Sequence, residues 1–396
     1  MNGKKGNISL LYAILVIVTI TFAVRASNNM FMTEIPLVAR YIIHFNEFLV
    51  GSVSAVGALA TFVMSAFINS KLSSTLRRKV FIASSLAYAL VFPTFYFSNS
   101  ITIWPIVFVS GFVLGAIMPN IITSASLLPD RKARERVLSI YTLTLSISLV
   151  AGPAIEGYLL RIYPLLETFI FFSIFPALVF VTSFFIKFPE EQSNVKIEAK
   201  NVIKNHGFKV SVYNIMTYNI PFAFILTFGG IYARDFFGAS YSTVTLMFSS
   251  FFFTSFISRL LLALKPPENL WRLMILSVLL TTVGLMGIVE SPSLTVMELS
   301  MLILGFPHGF TYPLSVISIS RAFDISSRNA ANSLFFSIMM AIGSVMPFVS
   351  GSVVLYIGLK YSFVSVIPVI LIILLLLHHE MKLLSIGKSG GQYTAA

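Results

Sequence analysis

Gly111-Phe112-Val113-Leu114-Gly115-Ala116-Ile117-Met118-Pro119-Asn120 has a counterpart 194 residues later, Gly305-Phe306-Pro307-His308-Gly309-Phe310-Thr311-Tyr312-Pro313-Leu314. Gly111, Gly115 and Pro119 keep register with Gly305, Gly309 and Pro313. Working outward, the same offset relates Asp130 to Asp324, Arg134 to Arg328, Pro153 to Pro347 and Gly157 to Gly351. Earlier pairs obey it too: Ala39/Ala233, Arg40/Arg234, Lys71/Lys265 and Arg78/Arg272. Gly and Pro are each scarce in ordinary sequences, about 7% and 5%. Five of them holding one register read as a chain built twice in the same direction, a parallel tandem duplication.

The chain has 396 residues, 57% hydrophobic and only 11% charged. Soluble domains carry about 25% charged residues, which excludes that class. Apolar runs long enough to cross a bilayer as helices recur along the whole length. The first, Ser9 to Phe31, follows Lys4 and Lys5 as a signal peptide would. It is too long for one, lacks a small-residue cleavage site, and is followed by eleven more runs. The chain has no cysteine, so disulfides, thiol chemistry and cysteine-based metal sites are excluded.

Twelve spans are expected at about 9–31, 48–70, 79–98, 101–128, 137–160, 165–187, 209–233, 241–264, 271–289, 295–320, 329–356 and 361–381. With the amino terminus in the cytoplasm, only Arg40, Arg161, Arg234 and Lys360 of the 27 Lys and Arg fall outside, and Arg25 falls within a span. That is the positive-inside asymmetry, and it puts both termini in the cytoplasm. It also accounts for the +12 charge without nucleic acid, because the charge is spread over a membrane face. The expected organisation is a six-helix half over 1–187, a linker over 188–208, a second half over 209–381 and a tail over 382–396. The linker carries Glu190, Glu191 and Glu198, then Lys196, Lys200 and Lys204 at helical spacing. It reads either as an amphipathic helix on the inner membrane surface or as a flexible tether. The Gly-rich tail from Ile386 is expected to be disordered; its Gly387-Lys388-Ser389 lacks the earlier Gly of a phosphate loop.

Two six-helix halves, a parallel repeat and a basic central loop resemble the major facilitator superfamily of secondary transporters. Ala151-Gly152-Pro153-Ala154-Ile155-Glu156-Gly157 in span 5 is similar to that family's Gly-Pro-x-x-Gly-Gly motif, associated there with antiport; Glu156 replaces one Gly. Leu76-Arg77-Arg78-Lys79 is similar to the basic end of the family's loop after span 2, with Ser73 where an Asp is usual. Span 4 has Gly111 where proton-driven exporters often carry a buried Arg. The resemblance implies an all-α polytopic fold of two parallel-related six-helix bundles, alternating access, and a cavity lined by spans 1, 4, 7 and 10.

Ionisable groups inside spans are costly and therefore informative. Arg25, Glu156 and His308 qualify, while Glu34 at the outer end of span 1 is expected to be in water. Arg25, with Asn28 and Asn29, reads either as a ligand for an anionic group or as a structural ion pair with Glu156. Asn219 is its counterpart in the second half, which argues against two symmetric Arg residues gripping one dianion. His308 lies between Pro307 and Pro313 and reads either as a proton carrier or as a neutral imidazole on a carbonyl freed by a proline. Asn120, Tyr218, Asn219 and Tyr312 are further candidate substrate contacts, and Glu156 is a second candidate for the coupling proton. Gly152, Pro153, Gly157, Pro347 and Gly351 are expected bending points. The paired loops around Asp130 and Arg134, and around Asp324 and Arg328, are expected to form salt bridges that hold the outward-open state closed on the cytoplasmic side.

Nothing in the sequence reads as a catalytic constellation, metal site or cofactor loop. His378 and His379 are adjacent, which is not metal-ligand spacing. The expected protein is a monomeric, multi-pass secondary transporter of the cytoplasmic membrane, moving a small organic solute, with a proton as coupling ion. Drug or metabolite efflux and organic-anion uptake, by symport or uncoupled, are the competing directions. A membrane enzyme or a non-transporting sensor fits less well: acids or histidines do not cluster at one face, and no loop could hold an output domain.

Overall fold

A computed structural model describes residues 10–125, 130–188, 199–265 and 267–389. Twelve helices are long and apolar enough to cross a membrane. They are Leu10–Ile42, Glu47–Lys71, Ser74–Phe97, Ile103–Ala125, Lys132–Leu159, Leu165–Ser183, His206–Phe237, Tyr241–Leu264, Leu270–Val289, Leu294–Ala322, Ala330–Ile357 and Leu359–Leu384, numbered here spans 1 to 12. Among the described residues there are no strands.

Span ends follow local chemistry. Ser73, Asn205, Ser240 and Asn269 each accept a first-turn backbone N–H and start spans 3, 7, 8 and 9. Span 7 stops at Gly238, whose φ of +65 suits glycine, and Ala239 N–H returns to the Ala233 carbonyl. Span 1 runs eleven residues past its expected end at Phe31, because Glu34 and Pro36 do not stop it. Pro307 and Pro313 do not break span 10, which is helical throughout Leu294–Ala322.

The chain forms two compact units. One comprises Met1–Ile43 with Val56–Ser193, the other His44–Ala55 with Asn194–Ala396. Each contains the same glycine seam. In the first unit, a Cβ on Gly111 of span 4 would strike the Gly57 carbonyl of span 2, and one on Gly115 would strike the Thr61 carbonyl. In the second, Gly305 of span 10 meets the Phe251 carbonyl of span 8, and Gly309 meets the Ser255 carbonyl. All four contacts obey the 194 offset on both partners. Hydroxyls bond across each seam: Thr61 Oγ1 donates to the Gly111 carbonyl at 2.8 Å, and Thr254 Oγ1 to the Leu302 carbonyl at 2.8 Å. Lipid tails give helices no hydrophobic drive to associate, so close backbone approach and such bonds carry the packing.

Outside the seam, span 1 packs on span 5 where Gly152 would bring a Cβ within 3.1 Å of the Ala26 Cα. It packs on span 6 through Phe22 and Phe175, 5.9 Å between centroids. In the second unit, Gly51 at the start of span 2 sits on Gly351 of span 11, beside an edge-on Phe48–Phe348 pair at 5.1 Å. Glu380 near the end of span 12 is buried; its Oε1 accepts from Lys209 Nζ at 3.1 Å and its Oε2 lies 2.5 Å from His206 Nδ1.

The expected linker lies largely outside the described residues, including Glu190, Glu191, Glu198 and Lys196. Its described end is a short helix, Ala199–Lys204. Val202 there is buried with Phe208, Ile319, Ala331 and Phe335, so this part docks on protein rather than lying free on the membrane. The tail expectation is corrected for 386–389, which continue the last helix to Ser389; residues 390–396 lie outside the described set.

The seam makes a test. Gly309→Ala should lower stability by about 1–3 kcal/mol, the usual cost of overpacking. Gly343→Ala, where a Cβ meets nothing within 4 Å, should be neutral or stabilising by about 0.5–1 kcal/mol. Thermal unfolding of both purified variants in detergent checks the contrast.

Candidate functional site

Span 1 carries the first unit's candidate residues, and its packing decides which way they face. Ala26 meets span 5 and Phe22 meets span 6. Phe31 points to Gly57 of span 2 and Phe95 near span 3. Helical residues advance about 100° each, so these contacts occupy two sides of span 1. Thr21, Arg25, Asn28 and Met32 follow i, i+4, i+7, i+11 spacing and share one stripe, with Asn29 at its edge beside Phe22. Met32 is 39% exposed there, and Asn28 Nδ2 donates to its sulfur at 3.5 Å. Arg25 is half-buried, and among the described residues it makes no ion pair or hydrogen bond. Asn29 Nδ2 and Thr21 Oγ1 are buried without partners.

The alternative pairing of Arg25 with Glu156 is not formed, since Ala26, one residue round the helix, is what meets span 5. Glu156 faces Glu34 instead. This corrects the expectation that Glu34 sits in water: both residues are fully buried. Neither Glu156 oxygen has a hydrogen-bond partner among the described residues. Sequence reasoning missed the pair because Glu34 lay beyond the expected end of span 1. The extra helical turns bring it over the Gly152–Gly157 stretch of span 5.

Asn120 is not an open substrate contact. It is buried, and its Nδ2 donates to Asn69 Oδ1 at 2.9 Å and to the Ala116 carbonyl at 2.7 Å, tying span 4 to the end of span 2.

In the second unit, His308 lies one residue from the seam. Its Nδ1 is 2.8 Å from Ser255 Oγ, so a hydroxyl rather than a proline-freed carbonyl is its partner. Tyr218, Phe222, Phe251 and Phe252 surround the ring, with centroids 5.6, 4.7, 5.2 and 5.5 Å away. Arg259, one turn beyond Ser255, adds a positive charge to this group. Tyr218 is buried and its hydroxyl donates to the Leu304 carbonyl at 2.8 Å, a bond between spans 7 and 10 rather than a free substrate contact. Asn219 is half-buried beside it, and Tyr312 is 41% exposed with its ring 6.2 Å from Phe335. Asn214, not anticipated, donates to the Thr311 carbonyl and Ser315 Oγ, both at 2.8 Å. Its signal was the Ser and Thr spacing of Ser211, Ser315 and Ser318, which bond across the same two spans.

The paired Asp residues act as helix caps. Asp130 Oδ2 accepts from Ala133 N–H at 2.7 Å and Asp324 Oδ1 from Ser327 N–H at 3.1 Å. Arg328 donates to the Ser320 and Phe323 carbonyls at 2.9 and 3.2 Å, closing the end of span 10. Asp130, Asp324 and Arg328 thus bond to backbone at the place in the repeat where each half begins a helix. Pro153 and Pro347 lie inside continuous helices. Among the described residues no group of His, Cys, Asp and Glu could hold a metal ion.

Two outcomes follow from these bonds. Asn120→Ala should destabilise by about 1–3 kcal/mol by stranding Asn69, without changing ligand affinity. Asp324→Ala should cost about 0.5–2 kcal/mol as a lost cap. Detergent melting curves with and without ligand read both.

The whole chain can now be compared with known proteins. A family model described as Major Facilitator Superfamily matches residues 17–265. No curated protein matches the sequence significantly. Among solved structures, a POT family transporter in complex with 5-aminolevulinic acid superposes with a TM-score of 0.76 at 12% identity, over 92% of this chain and 94% of that one. A mutant of the nucleoside transporter NupG gives 0.74 at 13%, over 93% and 99%. A bacterial homolog to the human lysosomal transporter Spinster, inward-facing and unoccupied, gives 0.72 at 12%, over 96% and 98%. These structures share the fold, and the family model covers more than half of the sequence: the chain belongs to the Major Facilitator Superfamily.

Proposed function

We propose that this multi-pass membrane protein is a proton-coupled secondary transporter of a small organic solute, working by alternating access. The observation that carries the coupling is the Glu34–Glu156 pair. Two facing carboxyls out of water repel when both are charged, which makes this pair our candidate for the coupling proton. Losing that proton leaves a buried, repelling dianion, which the helices must separate or hydrate. Proton exchange at this point therefore acts directly on the span 1–span 5 contact. Glu156 replaces a glycine of the span 5 motif, so the carboxyl stands where a close helix contact would otherwise continue.

His308 fits a packing role better than a coupling one, because four aromatic rings and Ser255 fix it. The distribution of Lys and Arg supports both termini in the cytoplasm and a place in the cytoplasmic membrane. Proline and glycine at 152–157 and 347–351 are assigned as the bending points, with the protein acting as a monomer.

Reconstituted liposomes test the coupling. Probes of four classes would be supplied: a nucleoside, a dipeptide, 5-aminolevulinic acid and a lipophilic cation. With the parent, an imposed pH gradient should drive accumulation of at least one, with proton movement seen by an internal pH dye. Glu156→Gln should lose gradient-driven accumulation but keep exchange down the solute's own gradient. Accumulation by the parent that survives collapse of the pH gradient would sink the proposal.

A further inference from the structure

We infer that the transported solute is an organic anion, and that the half-buried Arg25 of span 1 holds its charged group, with the unsatisfied donors of Asn29 and Thr21 one turn away on each side. The inference rests on the transporter reading and names its substrate class.

Three observations meet at this side of the helix. First, Arg25 has no counter-charge among the described residues, although it lies in the middle of an apolar span. An unpaired guanidinium facing hydrocarbon costs several kcal/mol, so a membrane protein keeps one where water or a ligand reaches it. Second, the groups one turn away on each side, Asn29 Nδ2 and Thr21 Oγ1, are 3% and 1% exposed by residue and have unused bonding capacity. Buried polar groups are normally satisfied, and each one left open needs an explanation. Third, Arg25 and Met32 keep part of their surface open on this stripe, while Thr21 and Asn29 beside them are enclosed by packing.

The chemistry of the three groups is consistent. Guanidinium and amide N–H donate only; the hydroxyl donates as well. A guanidinium presents two parallel N–H bonds to a carboxylate or phosphate, and it stays charged at every physiological pH. Nothing acidic lies on the stripe: Glu34, the one carboxyl of span 1, faces Glu156 instead. The stripe therefore offers a fixed positive charge with donors beside it, and no carboxylate that would neutralise it or grip an amine. Carboxylate and phosphate share the chemistry this stripe reads.

Ligand-induced stabilisation of the purified protein tests this with four probes of one shape: benzoate, phenyl phosphate, benzamide and benzylammonium. Binding to the folded state raises the melting point by mass action. One or both anions should raise it by about 2–4 °C at saturating concentration, and benzamide and benzylammonium should not. The shift should vanish in Arg25→Gln and be reduced in Arg25→Lys, which keeps the charge but not the fork. Both variants should melt near the parent without probe, since Arg25 makes no bond in the folded protein. Benzoate without phenyl phosphate assigns a carboxylate; the reverse assigns a phosphate. Stabilisation by benzamide or benzylammonium alone overturns the anion assignment and leaves transport standing. Absence of any anion effect, or an effect unchanged in Arg25→Gln, also overturns it. Failure of proton coupling would appear separately, in the liposome experiment with Glu156→Gln.

Discussion

Glycine against a facing carbonyl is the contact on which the two units are built. At Gly111, Gly115, Gly305 and Gly309 the backbone of one span touches the backbone of the next, with no room for a side chain. In water, apolar side chains would press such helices together. In a bilayer they gain nothing by leaving lipid, so packing area and hydrogen bonds must serve. The seam supplies both, and Thr61 and Thr254 bond across it at the place where the backbones are nearest. Everything that lines spans 4 and 10, Asn120 and His308 included, is positioned by this contact.

Polar groups follow a second rule, that hydrocarbon tolerates them only when they are satisfied or reached by water. Most inside these spans are satisfied. Asn120 bonds to Asn69, Asn214 to Thr311 and Ser315, Tyr218 to Leu304, and Ser255 to His308. Such bonds hold helices together and leave nothing over for a solute. Exceptions occur on several spans, and those on span 1 include Arg25 with Asn29 and Thr21, and Glu34 facing Glu156. One group offers unpaired positive charge, the other two carboxyls facing each other.

Charge at the helix ends is used differently. Asp130 and Asp324 hold the same position in the repeat because each starts a helix, and a carboxylate at that position binds free N–H groups. Arg328 completes the preceding helix from the other side by bonding its last carbonyls. Repetition of a charged pair in sequence therefore coincides with a repeated helix start. Glu380, clasped by His206 and Lys209, does comparable work between the start of span 7 and the end of span 12.

The sequence by itself determined the number of spans, most of their limits and the internal repeat. Those depend on local properties: apolar length, turn residues and the scarcity of Gly and Pro. It also singled out Arg25, Glu156 and His308, since a charge or imidazole within an apolar run is visible without coordinates. What it could not determine was which of these groups meet. That depends on the rotation of each helix about its axis, which is set by packing at single positions. Gly152 against Ala26 turned Arg25 away from span 5, and the unbroken length of span 1 carried Glu34 to Glu156. A rotation of about 100°, one residue of helix, separates an ion pair from an open anion site and a facing pair of acids. Only the tertiary structure decides a choice that fine, because it is made by side chains far apart in the chain.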